Sequence, residues 1–452
     1  MELRIPQEVV NLSSKFLSAG YEIYLVGGAV RDCLMNKKIY DWDFTTNAAP
    51  EATLKILGKD AFYDNRFGTV GYPIEDSSRP LEITTFRSEF GYSDSRRPDN
   101  VKWGDSIEED LKRRDFTINS MAIRLDGKKK IDCKDIIDPF DGQRDIEKKI
   151  IRAVGDPVER FSEDALRMIR AVRIAGELEF NIEENTFNAI KMHAGAINKI
   201  SKERIRDELL KIVSSEHPHV GMMLFHTSGL MDEVLPELSK SFGVEQKSPG
   251  RHHIYDVGTH SLMSLKNCPS SDKITRFATL IHDIGKPTTY KVKDGVITFY
   301  NHEVVGARIA KNIASRLRFS KKDSEKLWRL VRWHQFTVDE RQTDKAIRRF
   351  IKNVGLENIE DMLALRVGDR LGGGAAETSW RLEEFKKRLI EVQKQPFTVH
   401  DLKVNGNDVM HELNLKPGPK IGEVLNKLFE EVVEKRIENE REALLKRLKE
   451  IS

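Results

Sequence analysis

Cysteine is scarce and long apolar runs are missing. Cys33, Cys133 and Cys268 are the only three in 452 residues. They are too scattered, and odd in number, for a disulfide framework or a cysteine-based zinc site. No stretch approaches the ~18 apolar residues of a membrane span, and the opening MELRIPQEVV lacks the apolar core of a secretory signal. Neither sign of charge dominates: 75 Lys+Arg against 72 Asp+Glu leave +3. A large acidic or basic tail is excluded, so any nucleic-acid surface must be a local patch. These absences predict a soluble, cytoplasmic protein. What is present is length and mixed charge, with 33% charged residues, spread over two to four domains at roughly 100–200 residues each.

The pattern changes along the chain. Residues 1–150 mix strand and helix signals. YEIYLV (21–26) reads as a strand, Gly27-Gly28 as a turn into a helix ending near Met35, and DWDFTT (41–46) and LEITTFR (81–87) as further strands. From about Ile151 helical patterns take over, as in DALRMIRAVRIAGEL (164–178) and KERIRDELLKIVSS (202–215). Histidines gather between His252 and His334 in a region that also reads as helical, and a last helical segment covers 420–450. No internal repeat or low-complexity tract is apparent. The implied divisions are 1–150, 151–245, 246–375 and 376–452.

The first region carries a phosphate and metal constellation. Two glycines after a strand let backbone N–H groups approach a phosphate with no Cβ in the way. The helix that follows turns its positive end to the same anion, with Arg31 in its first turns. On a strand, Asp41 and Asp43 point to one face. Such a pair suits two Mg²⁺ ions about 3.5–4 Å apart for in-line displacement at phosphorus. Taken alone, a Gly-Gly pair is usually a turn and an Asp-x-Asp a solvated strand end. In this order and spacing they resemble the nucleotidyltransferase superfamily that includes DNA polymerase beta. EDLKRRDFTINSMA (109–122) and RFSEDALRMIRAVR (160–173) sharpen the likeness. With YLVGGAVRD and DWDFTT they resemble the CCA-adding tRNA nucleotidyltransferases of the class shared by bacteria and eukaryotes, and their poly(A) polymerase relatives. The resemblance covers residues 21–215 and resumes at the carboxyl end.

The resemblance implies an α+β fold: a nucleotidyltransferase head with a small mixed β-sheet, a helical neck, an HD-like helical domain and a helical tail. It implies transfer of CMP, CMP and AMP from CTP and ATP to the 3′ end of tRNA, with Mg²⁺ held by the catalytic Asp41 and Asp43. Gly27, Gly28, Arg31, Arg114, Asp164, Arg167, Arg170 and Arg173 become candidate nucleotide-binding residues. Asp115 is expected to order Arg114 rather than hold metal, and Asp110 is the candidate for any third carboxylate. SEFGYSDSRRPDNVKWGDSIE (88–108) matches the flexible loop associated in the family with adding the final A, which argues against CC-only addition.

The family reads the incoming base with Glu163-Asp164-Ala165-Leu166-Arg167, and the chemistry supports this directly. Three apart on a helix, Asp164 and Arg167 are neighbours. Ionised Asp only accepts hydrogen bonds and Arg only donates them. Cytosine presents an N4 donor beside the N3 acceptor, and adenine an N6 donor beside N1, so one pair serves both. Uracil and guanine present the opposite order and would leave groups unpaired, at a cost that supports strong rejection. Each three-residue step drifts by about 60° around the helix, so Arg170 should lie nearer the base than Arg173.

His260, the pair His282-Asp283, His302, His334 and Asp369 form a second constellation, in an order that resembles the HD phosphohydrolase superfamily. Imidazoles and carboxylates on facing helices can hold one or two divalent metals. Cyclic phosphates or phosphomonoesters at RNA ends are the candidate substrates. In HDLKVNGNDVMHELNLKPGPK (400–420), a Gly-Pro turn enters a helix with Lys416 and Lys420 nearby. That suits a tRNA phosphate, and a helix-packing turn is the alternative. The rivals to full CCA addition are A-only addition or poly(A) polymerase activity and, more remotely, an HD-type phosphohydrolase whose head merely binds nucleotide.

Overall fold

The computed structural model describes residues 2–39, 41–65, 68–73, 80–90, 100–103, 106–132, 135–246, 254–336, 342–393, 399–434 and 436–451. The chain divides into two units, 1–242 with 313–319, and 243–312 with 320–452.

The first unit is organised by a seven-stranded mixed sheet. Its strands are β1 Ile23–Val26, β2 Asp43–Thr46, β3 Phe62–Asn65, β4 Thr69–Tyr72, β5 Leu81–Thr85, β6 Ala122–Arg124 and β7 Ile136–Ile137. Their spatial order is β7-β6-β1-β2-β5-β4-β3. The β2–β5 pair is parallel and its neighbours are antiparallel. All four residues of β1 are buried, as a strand covered on both faces demands. β5 alternates instead, burying Leu81, Ile83 and Thr85 while exposing Glu82. The register aligns Phe44 with Ile83 and Asp43 with Glu82. Phe44 and Ile83 enter a core with Leu12, Phe16, Ile23, Leu25 and Val70, a burial worth about 1.5–3 kcal/mol for each such side chain. The two-residue period then leaves Asp43 and Glu82 together on the other face. The strand expected over 41–46 begins only at Asp43, and Asp41 precedes it.

The helices needed here are α1 Gly28–Leu34, α2 Ile107–Lys112, α3 Pro157–Glu163, α4 Leu166–Leu178, α5 Lys202–Ser214 and α6 Pro218–Thr227. α4 was expected to begin at Asp164, but the chain leaves helical geometry there, with φ −146° and ψ 104°. The Asp164 carboxylate accepts the Leu166 N–H at 3.0 Å. A short acidic side chain that bonds its own backbone competes with helix continuation and favours a cap. Asp164 therefore sits in a break between two helices and does not share a helix face with Arg167. α4 buries Met168, Ile169, Ala171, Val172 and Ala175, which keeps Arg167, Arg170 and Arg173 out of the core.

The histidine region is carried by α7 Val257–Lys266, α8 Lys273–Ile281, α9 His302–Arg316, α10 Lys321–Trp333 and α11 Ile359–Gly372, all in the second unit except the last turn of α9. α7 and α11 cross closely, since a Cβ on Gly368 would lie 2.7 Å from the Ser264 carbonyl oxygen. This approach brings Asp369 beside His260. The tail contains α12 Gly406–Leu413, α13 Pro419–Val433 and α14 Arg441–Ile451, packed around Val409, Leu428, Leu444 and Leu448. The single helical segment expected over 420–450 is thus two helices. Between them the Asn439 side chain accepts the Lys403 N–H and donates to the Asp401 carbonyl, both at 3.0 Å, which ties the break to the segment before α12. Of the expected flexible loop, Arg87–Phe90 and Asn100–Trp103 pair as an antiparallel ladder. Residues 91–99 and 104–105, and Cys133, lie outside the described residues.

Candidate active site and candidate metal centre

β1 delivers the chain to Gly27, whose φ of +71° lies in the region glycine enters without penalty. A Cβ there would stand 3.1 Å from Arg114 Nη1 and 3.7 Å from Asp43 Oδ2. Turn, guanidinium and carboxylate are therefore packed against one another. A cleft of about 400 Å³ opens at this point, with Gly27, Gly28, Asp43 and Glu82 on the sheet side and Arg114, Asp164, Arg167 and Arg170 facing them. Arg87, Arg113 and Arg204 also line it.

Burial pushes the Asp43 carboxyl above its ordinary range; Arg114 pulls it back, the nearby Asp41 charge adds to the rise, and Arg170 opposes it. Two carboxylates that repel each other beside a third, Glu82, make an oxygen donor set suited to a hard divalent cation. Glu82 was not anticipated. It is the one acidic residue of LEITT, and only the parallel register that pairs it with Asp43 marks it out.

Asp110, the candidate for any third carboxylate, is fully buried and holds Arg113 at 2.7 Å and Arg114 at 3.2 Å. Burial alone would raise its carboxyl, but the two guanidiniums hold it below the usual range. It is committed to aiming arginines. Asp115 takes Arg170 at 2.6 Å and the Phe116 N–H at 2.9 Å, so its arginine is Arg170 and not Arg114. Burial opposes its ionisation, yet Arg170 and Arg167 bring the carboxyl down to about 2.

The base-reading candidates are both fixed from behind. Arg167 donates to the carbonyls of Arg160 at 3.1 Å and Arg113 at 3.0 Å, and to Glu163 at 2.5 Å. Asp164 is paired with Arg204 at 2.7 Å. Arg173 is turned to Glu208 and Glu177, at 2.7 and 2.8 Å, and does not line the cleft. Arg31 donates to Asn119 at 2.9 Å, and its guanidinium lies about where a Gly28 Cβ would meet it, at 3.4 Å. Lys416 and Lys420 are exposed on either side of Gly418, before and within the first turn of α13.

In the second unit the histidine constellation comes together. His260 and His282 approach through their Nε2 atoms at 3.3 Å, as do His302 and His334. Asp283 stands between the pairs. Its Oδ2 faces His260 and His282 at 3.5 and 3.3 Å, and its Oδ1 faces His302 and His334 at 3.3 and 3.6 Å. Asp369 closes one side, 3.2 Å from His260. His282, His302 and His334 each direct Nδ1 at the carbonyl three residues earlier, at 2.7, 2.9 and 2.8 Å. With Nδ1–H donated there, Nε2 is turned inward as the ligating atom, the usual support of a metal-binding imidazole. Two triads, His260-His282-Asp283 and Asp283-His302-His334, share the bridging carboxylate. Lys286 bonds the same carboxylate at 2.6 Å. Burial lowers the tendency of His282 to protonate, but Asp283 and Asp369 outweigh it and raise its pKa to about 10.

Comparison with known proteins defines the class first. Residues 23–152 match the family described as "Poly A polymerase head domain", 179–242 match "Probable RNA and SrmB- binding site of polymerase A", and 307–448 match tRNA nucleotidyltransferase domain 2. This is a nucleotidyltransferase. The chain is 34% identical over 451 residues to the CCA-adding enzyme of Ligilactobacillus salivarius, covering 99% of this chain and 98% of that one. It is 33% identical to that of Pediococcus pentosaceus, with 98% of each covered. Among solved structures it resembles the Bacillus stearothermophilus CCA-adding enzyme in complex with CTP, with a TM-score of 0.73, 28% identity, and 98% of this chain and 97% of that chain covered. The chain belongs to the CCA-adding enzyme family.

Proposed function

We propose that the chain adds CMP, CMP and AMP, from CTP and ATP, to the 3′ end of tRNA. The observation that carries this reading is the meeting, in one cleft, of Asp43 and the Gly27-Gly28 turn with an acceptor and a donor, Asp164 and Arg167, each fixed by its own partners. Backbone N–H groups of the turn and the guanidiniums of Arg114 and Arg170 bind the triphosphate. Asp110 and Asp115 keep those guanidiniums aimed. Asp164 accepts from the amino group of cytosine or adenine while Arg167 donates to the adjacent ring nitrogen. When held by Asp41 and Asp43, with Glu82 beside them, Mg²⁺ supplies activation of the RNA 3′-hydroxyl and charge for the departing pyrophosphate. Exposed Lys416 and Lys420 contact the tRNA backbone, by phosphate and shape rather than by base. The test is to offer tRNAs ending before, within and after the CC with labelled CTP or ATP, and to sequence the products. CTP incorporation on the shortest tRNA excludes A-only addition, and long A tracts on unrelated RNA would favour poly(A) polymerase.

A second reading is favoured by the inward turn of the histidine Nε2 atoms around Asp283. His282, His302 and His334, fixed through Nδ1, together with His260, Asp283 and Asp369, fit one or two divalent metals, which would supply hydrolysis of phosphate esters at RNA ends. Loss of phosphate release in His282→Ala and Asp283→Ala, with nucleotide addition intact, supports it. No release by the unaltered protein with any of several divalent metals removes it.

A further inference from the structure

We infer that Arg204 is a positioning residue for base selection, fixing the direction in which Asp164 presents its carboxylate. The inference rests on the reading of Asp164 and Arg167 as the base-reading pair and deepens it.

Asp164 lies in a helix break, where its N–H caps α3 on the Arg160 carbonyl at 3.4 Å and its carbonyl accepts the Arg167 N–H at 3.0 Å. These backbone bonds do not set the plane of its carboxylate, which has two anchors of its own from different elements. The Leu166 N–H at the start of α4 bonds Oδ1 at 3.0 Å. From the first turn of α5, Arg204 places Nη2 2.7 Å from Oδ2 and Nη1 3.4 Å from Oδ1. A planar fork against a carboxylate sets the plane of the carboxylate as well as its position. Without the fork, the Leu166 N–H alone holds the carboxylate, through Oδ1, and the broad terminal torsion of Asp lets Oδ2 swing. Arg167 has no such weakness, because two of its three partners are backbone carbonyls. The acceptor is thus the half of the pair in which one of two anchors, and the one that sets its plane, is a replaceable side chain.

The direction of the error follows from the bases. A fixed acceptor aimed at the exocyclic position finds the amino group of cytosine but the carbonyl of uracil. A carboxylate free to swing inward can instead accept from the uracil N3–H, which relieves the acceptor half of the mismatch that rejects it. Loss of Arg204 should therefore admit UMP, not simply slow CMP addition.

The experiment measures kcat/KM for CTP and UTP on tRNA lacking CCA, in the full chain and in Arg204→Ala, Arg204→Lys, Arg204→Gln and Asp164→Ala, with unfolding midpoints alongside. The expected result is a fall of about tenfold or more in the CTP/UTP ratio for Arg204→Ala, partial recovery in Arg204→Lys, and a similar loss of selectivity in Asp164→Ala. A ratio within about twofold of the unaltered enzyme in Arg204→Ala, with selectivity lost in Asp164→Ala, overturns the role of Arg204 and leaves the base-reading pair standing. Unchanged selectivity in Asp164→Ala overturns the base-reading assignment and the inference with it. If Arg204→Ala does not fold, the Gln and Lys variants decide on the same ratio.

Discussion

The nucleotide cleft and the histidine cluster are built from opposite inventories. Six arginines line the cleft, and two of its neighbouring carboxylates, Asp110 and Asp115, are spent on orienting them. The cluster gathers four imidazoles around Asp283 and Asp369, with Lys286 bonding the first carboxylate and Arg366 the second. The first suits a polyanion that must enter and leave, and the second suits cations enclosed by protein. Both nevertheless achieve rigidity in the same way. In each site many working side chains have their far ends committed to protein: guanidiniums to aspartates and carbonyls, and the Nδ1 atoms of His282, His302 and His334 to carbonyls. Preorganisation is thus independent of the sign of the charge bound.

The strongest test of the separation is Asp43→Asn. It should reduce nucleotide addition by at least 10²–10³-fold in a labelled-CTP assay while metal binding by the second unit persists; retained addition would sink the cleft assignment. Next comes metal loading. Saturating the cluster at about 100 times its dissociation constant should stabilise the protein by about 2.7 kcal/mol, seen as a rise in unfolding midpoint with Mn²⁺ or Ni²⁺ that Asp283→Ala abolishes. Because His282 holds its proton up to about pH 10, binding must displace that proton. Affinity should drop as pH falls, about tenfold per unit for each proton released, and a pH-independent affinity would contradict this. In the metal-free protein the sign is reversed for stability. Protonated His282 is stabilising in full below its unfolded value of 6.5, and that contribution disappears as pH rises through about 10.

A smaller effect sharpens the packing side of the comparison. Gly27→Ala forces a Cβ to 3.1 Å from Arg114 at a φ of +71°. It should raise KM for CTP and ATP alike, lowering kcat/KM about tenfold, with about 1 kcal/mol lost in urea unfolding; a change for one nucleotide alone would argue against a shared phosphate role. Smallest is Lys416→Ala with Lys420→Ala. Affinity for tRNA should weaken uniformly across sequences, and the salt dependence of binding should flatten by about one unit of slope for each phosphate no longer neutralised.

Much of the cleft was legible in the sequence because its parts are local. The Gly-Gly turn follows a buried strand, and Phe44, apolar beside an acidic position, announces which way Asp43 must face. What was not legible depends on contacts between distant segments. Glu82 becomes a neighbour of Asp43 only through a parallel register, and Arg204 reaches Asp164 across forty residues. The partner exchange between Asp110, Arg114, Asp115 and Arg170 follows the same logic. The helix break at Asp164 was hidden because the apolar period runs through it unchanged, while the deciding event is one side chain bonding one backbone N–H. The histidine cluster was readable as an order of residues. That Asp283 would divide its two oxygens between two imidazole pairs was not.

The interruption between α3 and α4 has a mechanical consequence. Arg167 rides on α4, whereas Asp164 is tethered through Arg204 to α5, and these two helices pack together. The direction of the Asp164 carboxylate, which bonds α4 through the Leu166 N–H and α5 through Arg204, therefore depends in part on how one cylinder seats upon another, and a small slip in that seam is expected to loosen base selection.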